Sequence, residues 1–138
     1  MTKQEAKQQL ETFFRRLGIE ISFFEDKNFV RANVGEAVLG FEFIESDGSL
    51  DAQALIYRFR RLPSAEILEA IFAEEKNADT GGGTIRFDEE NLSLFLEKQF
   101  IEKPADEKFY EQINSLTQAS LLWSSRVLQN VAEKVHRN

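Results

Sequence analysis

AVLGFEFIESDGSLDAQALIYRFRRL, residues 37–62, decides the fold. Leu39, Phe41 and Phe43 recur at every second position, ESDGS at 45–49 carries turn residues including a glycine, and Leu55, Tyr57 and Phe59 resume the alternation. Period two on both sides of a glycine-bearing turn predicts an antiparallel hairpin with one aromatic face turned to a core. The opposite face then carries Val38, Glu42, Ile44, Ile56, Arg58 and Arg60, neither cleanly polar nor cleanly apolar.

Outward from the hairpin the period changes. Upstream, Thr2 and Glu5 have the spacing of a capping box, and Ala6, Leu10, Phe13, Phe14 and Leu17 recur at helical intervals before Gly18, which predicts a helix over 2–17. Ile19, Ile21 and Phe23 then alternate, and EDKN at 25–28 reads as a turn into the strand FVRANV at 29–34. Downstream, Ser64 after Pro63 can cap a helix whose buried stripe is Ile67, Leu68, Ile71 and Phe72 and which ends near Asn77. TIRF at 84–87, a DEEN turn at 88–91 and LSLFLEKQFI at 92–101 form a second hairpin, with Ile85, Phe87, Leu92, Leu94 and Leu96 as core candidates.

From Asp106 to about Val135, Phe109, Ile113, Leu116, Trp123, Val127 and Val131 make one apolar stripe, flanked by Leu121, Leu128 and Val135. A helix of about 30 residues spans about 45 Å, longer than a small domain is wide. It therefore breaks near SLTQAS at 115–120 or packs on something outside the chain. The whole reads as a single α+β domain over 1–138: helix, three strands, helix, two strands and a long C-terminal helix, with an antiparallel sheet packed on helices.

NADTGGGTIRF, 77–87, is the stretch nearest to a catalytic signature. A phosphate loop needs strand, glycines and then a helix N-terminus, because free amides and the helix dipole hold the anion. Here the glycines follow a helix and precede a strand. Asp79-Thr80-Gly81 matches the triplet of aspartic proteases, in which two carboxylates share a proton, and a homodimer could supply the pair. That triplet belongs after an apolar strand, whereas this one follows EEKNA at a helix end. The favoured reading is structural: glycines end the helix and let the chain reverse.

Composition narrows the function classes. With 42% hydrophobic residues, thirteen phenylalanines and 30% charged residues, the chain can bury a core and remain soluble. It has no cysteine, which removes disulfides, thiolate nucleophiles and Cys-based zinc, and suggests a cytoplasmic protein. No apolar run of signal-peptide or membrane-spanning length is present. A net charge of -7 opposes nucleic acid and anionic lipid. The single histidine, His136, lies two residues from the end, which excludes a two-histidine metal site; Asp88, Glu89 and Glu90 lack EF-hand spacing and read as a solvated turn. No metal, cofactor or catalytic residue is expected.

Two surfaces remain. Arg58, Arg60 and Arg61, with Arg31 and Arg86 at outward strand positions, either pair with surface glutamates or line a docking groove for an acidic or extended peptide, helped by the outer-face residues Val38, Ile44, Ile56 and Phe95. Trp123 and its neighbours Leu121 and Leu128 belong to the core or, if the last helix overhangs, to a dimer seam.

The stretches GFEFIESDGSLDAQALIYRFRRLPSAEILEAIF and TIRFDEENLSLFLEKQFIEKPADEKFYEQI resemble, in order and pattern, the class I type III secretion chaperones and the related YbjN-like proteins. The resemblance covers most of the chain and implies a small acidic α+β homodimer that holds an extended segment of another protein without hydrolysing it. The expected function is noncatalytic protein binding, with Ile56, Arg58, Arg60 and Phe95 contacting the partner and Leu121, Trp123 and Leu128 joining two copies. The alternatives are an aspartic-type hydrolase using Asp79 and a structural subunit of a larger intracellular complex.

Overall fold

The computed structural model describes residues 1–20 and 28–137, so the alternation expected at Ile21 and Phe23 and most of the turn before β1 lie outside the described residues. Helix α1 (Lys3–Arg16) starts at Thr2, whose hydroxyl accepts the Glu5 N–H at 3.1 Å while the Glu5 carboxylate accepts the Thr2 N–H at 2.9 Å. The capping box satisfies two amides that the helix cannot. Strands β1 (Phe29–Val34), β2 (Ala37–Ile44) and β3 (Ser49–Arg58) follow, then helix α2 (Ala65–Ala73) and a short 3₁₀ turn at Glu74–Lys76. Ser64 caps α2 by accepting the Ile67 N–H at 3.2 Å. Strands β4 (Thr84–Asp88) and β5 (Ser93–Phe100) lead to helix α3 (Asp106–Leu122), a widened π-turn at Trp123–Val127 and helix α4 (Leu128–Arg137).

All strand pairings are antiparallel, in the order β1-β2-β3-β5-β4. β3 is the hub, paired with β2 on one side and, across the α2 excursion, with β5 on the other. One sheet face buries Leu39, Phe41, Leu50, Ala52, Leu94 and Leu96. α1 and α3 close over it, and the rings of Phe13, Phe41 and Phe109 meet edge-on or tilted at 5.5 to 6.3 Å. Such offset ring contacts add to the hydrophobic gain of burial. At the β4 edge the Glu75 carboxylate accepts the Ile85 N–H at 2.7 Å, removing one free donor from an exposed rim.

Three expectations about position are corrected. The register shifts between Leu55 and Tyr57 opposite consecutive residues of β5, so Ile56 is the extra residue of a β-bulge. Leu50, Ala52, Ala54 and Ile56 alternate inward along β3, so Ile56 lies in the core, 4% exposed, and Leu55 takes the outer position; the bulge acts beyond Ile56 and puts Arg58, opposite Ser93, on the outer face. The outer-face role expected for Ile56 is therefore withdrawn. In α2 only Ile71 of the expected stripe is fully buried, and Phe72 stands 42% exposed, because the helix packs against α4 along one narrow line.

The last helix does not break at 115–120. It continues to Arg137 through the π-turn, whose extra residue turns Val127 and Val131 inward, and α4 packs on α2 of the same chain. Trp123 is 0% exposed and its indole N–H donates to the Asp79 carbonyl at 2.9 Å. A side chain so enclosed presents no surface to a second copy, which removes Trp123 from the expected dimer seam.

Candidate functional site

The glycine loop is explained by packing. Gly81 and Gly82 have positive φ, and a β-carbon at Gly81 would stand 2.3 Å from the Ser115 carbonyl oxygen of α3; one at Gly83 would stand 2.6 Å from the Leu116 side chain. Only glycine lets this loop lie so close on α3. Asp79 is exposed, its carboxylate accepts the Gly81 N–H at 2.8 Å, and its carbonyl holds Trp123. Both ends of the residue serve to shape and anchor the loop. The Asp88 carboxylate likewise stabilises a turn, accepting from the Asn91 side chain at 2.6 Å and the Glu90 N–H at 3.0 Å; these bonds, the Asn91 side chain first, hold it below the usual carboxylate range. Among the described residues no group of three or more His, Asp or Glu side chains is placed to hold a metal ion.

The sheet face opposite the helices is more informative. Outward positions of β1, β2, β3 and β5 and the β4–β5 turn line a shallow depression containing Phe29, Arg31, Val38, Gly40, Leu55, Arg58, Ser93 and Phe95. Its floor is set by Gly40: a β-carbon there would lie 3.1 Å from the Phe29 ring, so the missing side chain lets the ring fold down. Arg31, opposite Gly40 in the register, stands 5.8 Å from the centre of that ring. Arg58 donates weakly to Ser93 Oγ at 3.4 Å, its neighbour across the β3–β5 pair. Arg86 is engaged with Glu97 at 3.3 Å, but neither Arg31 nor Arg58 has a carboxylate partner among the described residues.

Farther along the same face, Asp51 pairs across β2 with Glu42 and is only 5% exposed. Burial pushes its carboxyl up to about 7, Glu97 and Glu42 push the same way, and a 3.0 Å hydrogen bond from Gln53 opposes them. The outer face thus runs from an arginine-bearing apolar end to an acidic end.

The expected binding residues do not assemble as one site. Arg58 and Phe95 share the depression, Ile56 is in the core, and Arg60 lies past the end of β3, beside Tyr57, Leu62 and Pro63 on the α2 side. Alternation had placed Arg60 with Arg58, but it holds only while the strand lasts. On that other side, Tyr57, Phe59, Ile67, Leu128, Val131 and Val135 line an apolar crevice of about 280 Å³ between α2 and α4, with Tyr57 47% and nearby Leu62 53% exposed. Leu128 sits in its wall; Leu121 is half-buried just before the π-turn. Asp51 was not singled out in the sequence, although its place opposite Glu42 on an outward strand position was the available signal. The crevice carries no linear motif, since it joins β3, α2 and α4.

The element order, the antiparallel sheet and the helices on one of its faces define a class I type III secretion chaperone-like fold. The chain is similar to a chain in the ExsC–ExsE complex, with a TM-score of 0.73 and 15% identity, covering 91% of this chain and 96% of that one. It is also similar to a chain in the HopA1–SchA chaperone–effector complex, with a TM-score of 0.66 and 16% identity over 88% and 94% of the two chains. For a chain in the ExoT–SpcS complex from Pseudomonas aeruginosa the TM-score is 0.55 at 13% identity, over 84% and 94%. No protein-family model matches the sequence, and no curated protein matches it. Among the described residues no helix is long and apolar enough to cross a membrane.

Proposed function

We propose that the protein is a noncatalytic, chaperone-like binding domain that works as a cytoplasmic homodimer and holds an extended segment of another protein on the outer face of its sheet. The observation that carries this reading is the agreement in fold, over 84 to 91% of the chain, with chains taken from protein–protein complexes, one of them a chaperone–effector complex. Two features of the chain support it. The outer face offers an apolar depression with two arginines that have no carboxylate partner among the described residues, the combination that receives an extended peptide. The crevice between α2 and α4, with Leu128 in its wall and Leu121 nearby, offers a second exposed apolar surface on the other side, suited to a copy of the chain. Arg60, at the rim of that second surface, belongs to self-association rather than to the peptide site.

The test is capture from native lysate by the wild-type protein and by the Arg58→Glu, Phe95→Asp double variant, with circular dichroism verifying the fold of each. The wild type is expected to retain a defined protein that the variant loses. Equal retention by both would remove the outer face from the proposal. In parallel, light scattering behind size exclusion is expected to give twice the chain mass, reduced to one by Leu128→Asp; a wild-type monomer at micromolar concentration would end the dimer reading.

A further inference from the structure

We propose that the segment held on the outer face carries a carboxylate side chain, seated between Arg31 and Arg58, with an apolar side chain two residues away resting on Leu55 and Phe95. This rests on the preceding reading of the face as a peptide site and specifies the chemistry it selects.

Position sets the two arginines apart. On the sheet Arg86 pairs with Glu97, whereas Arg31 and Arg58 have no carboxylate partner among the described residues, and both line one depression. Asp88, the one carboxylate at its rim among the described residues, is occupied by Asn91 and the Glu90 N–H. Guanidinium forks recognise carboxylates through paired, charge-assisted hydrogen bonds, so two guanidiniums lining one hollow, one near the Phe29 ring and one only weakly bonded to Ser93, define an anionic complement.

Position follows from the rest of the face. An extended chain directs every second side chain to the same side, about 7 Å apart, so the residue that follows the carboxylate on the sheet lies two places away in sequence. The half-buried Leu55 and Phe95, which are paired across β3 and β5, form the apolar seat beside the arginines. Sliding the segment toward the other end would bring its carboxylate against Glu42, opposite Asp51, where like charge opposes it. The face therefore fixes where the acidic residue sits as well as its sign.

The experiment uses the full chain and three capped ten-residue peptides of alternating threonine and leucine that differ at one central, leucine-side position: glutamate, glutamine or lysine. Fluorescence anisotropy at low salt is expected to show the glutamate peptide binding about tenfold more tightly than the glutamine peptide, the lysine peptide weakest, with the preference shrinking as salt rises. The Arg31→Glu, Arg58→Glu variant should reverse the order, preferring lysine, an outcome that an unfolded variant cannot produce. Equal affinity of wild type for all three peptides would overturn the carboxylate assignment while leaving the peptide site standing. Binding of none of them at millimolar concentration would overturn both.

Discussion

The two faces of the sheet are built from the same strands and the same alternation, yet they hold different kinds of residue for different reasons. On the helix side the side chains are large, apolar and closed off: Leu39, Phe41, Leu94 and Leu96 have almost no exposed surface. On the other side Phe95 and Leu55 are half covered, two exposed arginines have no carboxylate partner among the described residues, and a carboxyl is enclosed at Asp51. A face selected only for stability has no use for a desolvated carboxyl, which costs more than an apolar or solvated alternative. The difference between the faces separates what holds the fold from what the fold presents.

Neighbouring residues of β5 give the sharpest way to break this contrast. Leu94→Ala removes a fully buried side chain from the helix-covered face, and chemical denaturation is expected to show a loss of about 3 kcal/mol. If the loss were below about 1 kcal/mol, the core would be looser than its burial indicates. Next in size is Asp51→Asn. A carboxyl raised in the folded protein to about 7 binds its proton more tightly than in the unfolded chain, so stability is greatest at low pH and declines as pH rises from about 4 through 7. Asparagine removes that decline and should stabilise the protein at pH 8 by about 1 kcal/mol, the effect being limited by solvent at the open face. An unchanged slope between pH 4 and 7 would show that Asp51 is ionised throughout. Phe95→Ala, one residue from Leu94, is expected to change stability least, by under about 1 kcal/mol, because it vacates a half-open site. A larger loss would mean that the outer face stabilises the fold after all.

The elements were legible in the sequence wherever a periodic pattern met a chemical stop signal. Thr2 with Glu5 and Ser64 after Pro63 marked helix starts, and the stripe from Phe109 to Val131 marked the last helix. Strand faces were legible on β2 but not on β3. There the large residues Leu55, Tyr57 and Phe59 suggested the inward set, whereas Leu50, Ala52, Ala54 and Ile56 face the core and the small alanines give little signal of burial; the bulge at Ile56, set by the pairing of β3 with β5, then put Arg58 on the outer face. A similar limit applied at the π-turn: the sequence left open a break near 115–120 or packing on something outside the chain, and the helix instead runs on through one widened turn and packs on α2. The outer depression was half legible: Phe95 could be placed by alternation, but Arg58 reaches the outer face only through the bulge, and the part of Gly40 in admitting the Phe29 ring depends on β1–β2 register. The α2–α4 crevice had no sequence signal, since its walls come from elements far apart in the chain.

The widened turn at Trp123–Val127 has a consequence for how this chain can vary. In an unbroken α-helix each residue advances the side-chain direction by about 100°, so length and orientation are locked together. One additional residue in a single turn releases that lock. The tail beyond it can keep its greasy edge toward α2 while the portion before it stays aligned with the sheet, which makes this turn a rotational adjuster between two packing surfaces that no uniform spiral could serve at once.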